Sequence, residues 1–230
     1  MPVPPNLKMR AVRRFLRVFA GLAAMVLIPA GSWKFWQGWA YLGVNTVLQS
    51  ALMIYFYWRD PEVLGRRLLT REQNLEQKFI IVMLRVVAVS TFVLSGLDYR
   101  FGWSANSNFR VLPWLTVLAL LVIIGNQFFF MLVLRANRFA ASIIRVESGQ
   151  TIAATGPYHL VRHPMYLTMV IHGIAAPLAL GSVVALAPGI FIVPTLMLRL
   201  LHEEKVLRRD LPGYVEYCEQ TPRRLIPYVW

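Results

Sequence analysis

Residues 113–134 read PWLTVLALLVIIGNQFFFMLVL, an unbroken run without one charged side chain. A bilayer hydrocarbon core of about 30 Å takes roughly 20 apolar residues as a helix, so this stretch predicts a transmembrane span and, with it, an all-α integral membrane protein. The same ruler predicts further spans near 15–32, 38–58 and 79–97. From Pro164 to Leu201 the apolar sequence is long enough to cross twice only as short, close-packed helices, with Gly181-Ser182 as the turn of a C-terminal helical hairpin that need not span fully. About six transmembrane segments result, which puts both termini on one side. Residues 1–140 then form the N-terminal spans and 141–230 the hairpin and tail of a single membrane domain.

Composition agrees. Of 230 residues 57% are hydrophobic and only 15% charged, with mean hydropathy +0.52, whereas a water-soluble domain carries roughly a quarter charged residues. The remaining charge is lopsided, +13 from 24 Lys and Arg against 11 Asp and Glu. In this setting that charge fits anionic headgroups and not nucleic acid. The single cysteine, Cys218, excludes an internal disulfide and a Cys-rich metal cluster.

Lys8, Arg10, Arg13, Arg14 and Arg17 resemble the charged start of a signal peptide, but the apolar run continues into Trp33, Phe35, Trp36 and Trp39, an interface pattern. A retained first span follows. Basic residues also gather in 59–78 (Arg59, Arg66, Arg67, Arg71 and Lys78), in 135–162 (four arginines) and after Leu201, while the alternate loops hold few. By the positive-inside rule both termini are predicted cytoplasmic. Residues 61–78 have the apolar spacing of a helix lying on the membrane surface, with Val63, Leu64, Leu68 and Leu69 on one side. Arg85 inside a span reads as snorkelling or paired within the bundle.

Polar chemistry concentrates in Gly156-Pro157-Tyr158-His159-Leu160-Val161-Arg162-His163-Pro164-Met165-Tyr166 and in His202-Glu203-Glu204. Folding the hairpin about Gly181-Ser182 sets His163 opposite Leu200, so Arg162, His163, Glu203 and Glu204 share one mouth at the cytoplasmic interface. Pro164 suits a first helical position, where amide groups favour a carboxylate, while the glutamates favour a cation. A zwitterion with an additional positive centre, such as S-adenosyl-L-methionine, fits both halves.

These residues carry a resemblance. Gly-Pro-Tyr-x-x-Val-Arg-His-Pro-x-Tyr at 156–166, Glu203-Glu204, then Tyr214-x-Glu216-Tyr217 and Arg224-Leu225-Ile226-Pro227 resemble the isoprenylcysteine carboxyl methyltransferase family, whose superfamily includes phospholipid N-methyltransferases. The resemblance covers roughly 145–230. It implies an S-adenosylmethionine-dependent methyltransferase in a bacterial inner membrane or endoplasmic reticulum, acting from the cytoplasmic face on a lipophilic or lipidated acceptor. It further implies cofactor contacts from Gln150, Thr151, Ile152, Ala153, Tyr158, His163, Pro164, Met165, Tyr166 and Glu203, and a substrate-binding arginine at Arg199, one helical turn before Glu203 and on its face. Two positions depart from the family pattern: Thr168, where a small residue is usual, and Arg223, where an aromatic is usual. Both bear on the substrate channel.

Other readings stand beside this one. Arg162 in a cytoplasmic loop also reads as a headgroup anchor, and Arg199 as a snorkelling side chain; His159 and His202 read as structural. The Arg-His-Pro-x-Tyr corner is similar to that of NADPH-dependent sterol-type reductases, and a lipid-binding bundle without catalysis fits the composition. A metal site is not expected, since Pro157 and Pro164 interrupt any helix that would align His159 with His163.

Overall fold

The computed structural model describes residues 6–68, 75–139, 149–227 and 229–230. Among these the protein is all-helical, 75% helix with no strand. The long helices are α1 (Leu7–Ala30), α2 (Trp36–Arg59), α4 (Leu75–Phe101), α5 (Pro113–Ala136), α7 (Pro164–Ala179) and α9 (Ile192–Asp210); the short ones are α3 (Pro61–Arg67), α6 (Pro157–Leu160), α8 (Leu186–Ile190) and α10 (Tyr214–Gln220).

Helices occupy every expected span, with shifted ends. α4, α5 and the segment Leu186–Asp210 are each long and apolar enough to cross a bilayer. α1 and α2 have 24 residues each. α1 begins well before residue 15, because Arg10, Arg13, Arg14 and Arg17 are themselves helical; arginine has good intrinsic helix propensity. α7, with 16 residues, extends only about 24 Å at 1.5 Å per residue, so the first hairpin arm is short.

The surface helix over 61–78 is not observed in that form. Its described part ends at Arg67, Lys78 belongs to α4, and Arg71 and Leu69 lie outside the described residues. α3 instead packs against the end of the bundle. The Asp60 carboxylate accepts from Val63 N at its N-terminus, Val63 is buried with Phe56 and Leu134, and buried Arg66 donates to Arg138 O at 2.9 Å.

The main core joins α1, α2, α5 and α7 through Val26, Tyr41, Ile123, Ala175, Ala176 and Ala179. Small residues on α7 let it lie close against α5, the usual device where lipid supplies no hydrophobic drive between helices. α1 and α4 meet at Gly96, where an added Cβ would stand 2.5 Å from Val26 O. The hairpin turn is at Gly181-Ser182 as expected, with Gly181 at φ 75°. A buried aspartate that the sequence reading passed over anchors it: Asp98, at the end of α4, accepts from the hydroxyls of Ser104 and Ser182 and from Ser104 N at 2.7 Å.

The arginine-rich connections meet at the opposite end. Arg14 donates to Arg67 O at 3.0 Å, Arg66 to Arg138 O, and Arg67 to the Met165 sulfur at 3.2 Å. Exposed Arg85 lies on the outer face of α4.

Candidate active site

Glycine and proline punctuation sets the corner. Gly156 takes φ 59° before the single turn α6, Val161 is extended, and Pro164 opens α7 with His163 as its N-cap. The amides just before that helix are already used: Arg162 N donates to Arg223 O and His163 N to Arg224 O, both at 2.9 Å. The C-terminal tail therefore covers part of the helix start that the sequence reading offered to a carboxylate.

The two glutamates separate by function. Glu204 is buried and takes Arg162 Nε at 2.8 Å, Arg224 Nε at 3.0 Å and His163 Nε2 at 3.4 Å. Arg162 also donates to the carbonyls of Cys218 and Thr221. Arg162 is thus buried inside a knot joining α7, α9 and the tail, and the headgroup-anchor reading does not hold. Glu203 faces the other way and accepts from the Tyr166 hydroxyl, which in turn accepts from Arg199 Nε at 3.1 Å.

Glu203 and Tyr166 line a small cavity of about 90 Å³. Of the residues expected to hold a cofactor, Gln150, Thr151, Ile152, Ala153, Tyr158, Arg162, His163, Met165, Tyr166 and Glu203 line it. Pro164 and Glu204 are buried beside it without lining it, and Arg199 stands behind Tyr166. Sequence reading assigned no role to Asn137, Phe139, Leu207, Leu211, Tyr214 and Tyr217, which complete the wall. The last turns of α9 held a readable signal, since Glu203, Leu207 and Leu211 follow at intervals of four.

Besides Tyr166, three tyrosines give this cavity neutral hydroxyls. Burial raises the Tyr158 and Tyr214 hydroxyls well above the ordinary tyrosine value, and pushes Tyr217 up to about 12. Tyr217 donates to Tyr158 O at 2.7 Å, and Asn137 donates to the Tyr158 hydroxyl. The buried Tyr214 hydroxyl has no hydrogen-bond partner among the described residues. Such an orphaned group costs about 1–3 kcal/mol unless a ligand engages it.

A second and larger cavity, about 590 Å³ and mainly apolar, runs between α1, α2, α5 and α7. Arg14 and Arg67 stand at its basic end; Thr168, the departure noted above, lines its wall. Arg67 is half-buried, and its desolvation, with the neighbouring Arg14 charge, lowers its guanidinium to about 10. Through its contact with Met165 it stands where the two cavities adjoin.

Among the described residues no group of three His, Cys, Asp or Glu is placed to hold a metal ion. His202 pairs with exposed Glu76 at 2.9 Å, and His159 is exposed.

Comparison with curated proteins finds no match. Residues 117–209, which run from α5 through the hairpin to the end of α9 and include the Arg162–Tyr166 corner and Glu203, match the isoprenylcysteine carboxyl methyltransferase (ICMT) family, and this supports the resemblance of the chain to isoprenylcysteine carboxyl methyltransferase-like membrane methyltransferases.

Proposed function

We propose that the protein transfers a methyl group from S-adenosyl-L-methionine to a lipophilic acceptor bearing a carboxylate, with its active site and both termini on the cytoplasmic side. The observation that carries the proposal is the approach of the two cavities at the contact of Arg67, which lines the larger, with the sulfur of Met165, which lines the smaller; buried Arg199 stands nearby, behind Tyr166 on its hydroxyl. Two cations at the junction suit an anionic acceptor and repel an ammonium, which disfavours the phospholipid N-methyltransferase alternative.

The smaller cavity suits this cofactor in its donor set. Glu203 supplies a carboxylate for a cationic centre, and the unpartnered Tyr214 hydroxyl supplies a neutral donor or acceptor for a polar group of the ligand. When bound, the cofactor supplies an electrophilic methyl on a sulfonium. The protein's part is alignment. Tyr166, held between Glu203 and Arg199, fixes the wall; Arg67 and Arg199 orient the carboxylate; the apolar cavity keeps water from the acceptor. No acid or base needs to move a proton, since the acceptor is already ionised.

The test is calorimetric titration of the purified protein in detergent with S-adenosylmethionine, S-adenosylhomocysteine and NADPH. The first two are expected to saturate at one site. Saturable binding of NADPH alone would overturn the methyltransferase proposal in favour of a sterol-type reductase.

A further inference from the structure

The larger cavity is not apolar throughout. On α5, buried Asn126 lines it; its amide nitrogen donates to Thr168 O at 3.0 Å, while its Oδ1 has no partner among the described residues. The next residue, Gln127, lines the same cavity, and its Nε2 is likewise buried without a partner. Deeper in, the Tyr41 hydroxyl and His172 Nε2 satisfy each other at 2.9 Å. An orphaned acceptor and an orphaned donor on consecutive residues of α5 therefore belong to the lining of one mainly apolar cavity.

Polar side chains at membrane depth are costly when unpaired and are commonly functional. A plain alkyl or prenyl chain filling this chamber would leave both atoms unsatisfied. A single hydroxyl, with one O–H to give and lone pairs to receive, satisfies both. A ketone would engage only Gln127 and leave Asn126 Oδ1 unpaired.

We infer that the acceptor is a carboxylate lipid whose chain carries a hydroxyl group, held between Asn126 Oδ1 and Gln127 Nε2. The position follows from the helix register. Asn126 is level with Thr168, three residues beyond Met165 on α7, about 5 Å along the helix axis. With the carboxylate at Arg67, beside Met165, the hydroxyl belongs in the first third of a long chain. This selectivity rests on the larger cavity being the acceptor site proposed above. It goes beyond that proposal in naming the lipid class.

The experiment measures equilibrium binding of radiolabelled hexadecanoic acid and of hydroxyhexadecanoic acids, with the hydroxyl near the carboxyl end, at mid-chain or near the tip. It uses the full chain in nanodiscs without cofactor. The isomer hydroxylated near the carboxyl end is expected to bind about tenfold more tightly than hexadecanoic acid, the scale of one or two neutral hydrogen bonds. Asn126→Leu and the nearly isosteric Gln127→Met are each expected to reduce that preference while leaving S-adenosylhomocysteine affinity unchanged, because neither residue lines the smaller cavity. Gln127→Met keeps the Asn126–Thr168 bond, so it serves if Asn126→Leu fails to fold. Equal binding of all the acids by the unaltered protein, or a preference that survives the substitutions, would overturn the inference. Failure to bind S-adenosylhomocysteine would instead count against the methyltransferase proposal, and the lipid measurement stands apart from it.

Discussion

Adjacent glutamates with opposite duties make a strong test. Glu204→Ala removes the carboxylate that faces Arg162 at 2.8 Å, with both side chains about 95% buried, and Arg224 at 3.0 Å, which is a third exposed. The exposed partner contributes little, because solvent screens it. The cost is therefore set by Arg162, left as a buried charge with only two carbonyls. Breaking a buried pair from one side costs about 3–5 kcal/mol, and at roughly 2–4 °C per kcal/mol for a chain of this size the melting temperature should fall by about 10 °C. Glu203→Gln touches no part of that knot. It should leave melting unchanged and weaken S-adenosylhomocysteine by about 1–3 kcal/mol, the range for a hydrogen bond to a charged group. The assay is thermal unfolding of both variants in one detergent, followed by calorimetry well below the lower melting point. If Glu204→Ala melts normally but loses the ligand while Glu203→Gln does the reverse, the roles derived from the geometry are inverted and the reasoning fails.

Arg199→Lys keeps the charge but loses the planar fork; nearly normal S-adenosylhomocysteine affinity with most turnover on a carboxylate lipid lost is expected, and poor cofactor binding would place Arg199 in the cofactor site instead. Since Cys218 is buried, a cysteine at exposed Thr155 in a Cys218→Ser background should react with an impermeant maleimide only from the cytoplasmic face, and one at exposed Asn106 only from the other; labelling of both from one face contradicts the topology. Burial raises the hydroxyls of Tyr158, Tyr214 and Tyr217, so these groups hold their protons more tightly when folded than when unfolded. Their contribution to stability is complete below the unfolded value near pH 10 and is lost as pH rises from there toward 12 and beyond. Tyrosinate absorbance appearing only together with unfolding over that window would bear this out.

Much of the architecture was readable because the relevant physics is local. Twenty apolar residues specify a span wherever they fall, and the glycine and proline positions at Gly156, Pro157, Pro164 and Gly181 specify where helices start and turn. The candidate cofactor residues were readable for the same reason, lying within one corner and one helical stripe. Arg67 and Asp98 were not. Their decisive contacts, with Met165 and Ser182, lie 98 and 84 residues away in sequence. The extent of the 61–78 helix was not legible, because its apolar stripe runs on past the point where α3 ends at Arg67, and the contacts of Val63 and Arg66 with distant segments do not show in the local sequence. The larger cavity was hidden similarly, since the α1 and α2 faces that line it have the composition of lipid-facing surface.

The Asp98 clamp bears on how the protein is made. Synthesis from the N-terminus supplies Ser104 within six residues of Asp98 but Ser182 only after 84. Until then α4 carries a partly satisfied acidic group, a standing cost for the unfinished bundle. The hairpin that holds the Arg162–Tyr166 corner supplies the missing hydroxyl as it packs, so correct insertion of the last helices is rewarded at the far end of the molecule from the chemistry. A chain stopped short of the turn would keep the Arg162–Tyr166 corner but lack Glu203, Glu204 and the Ser182 contact that completes its scaffold.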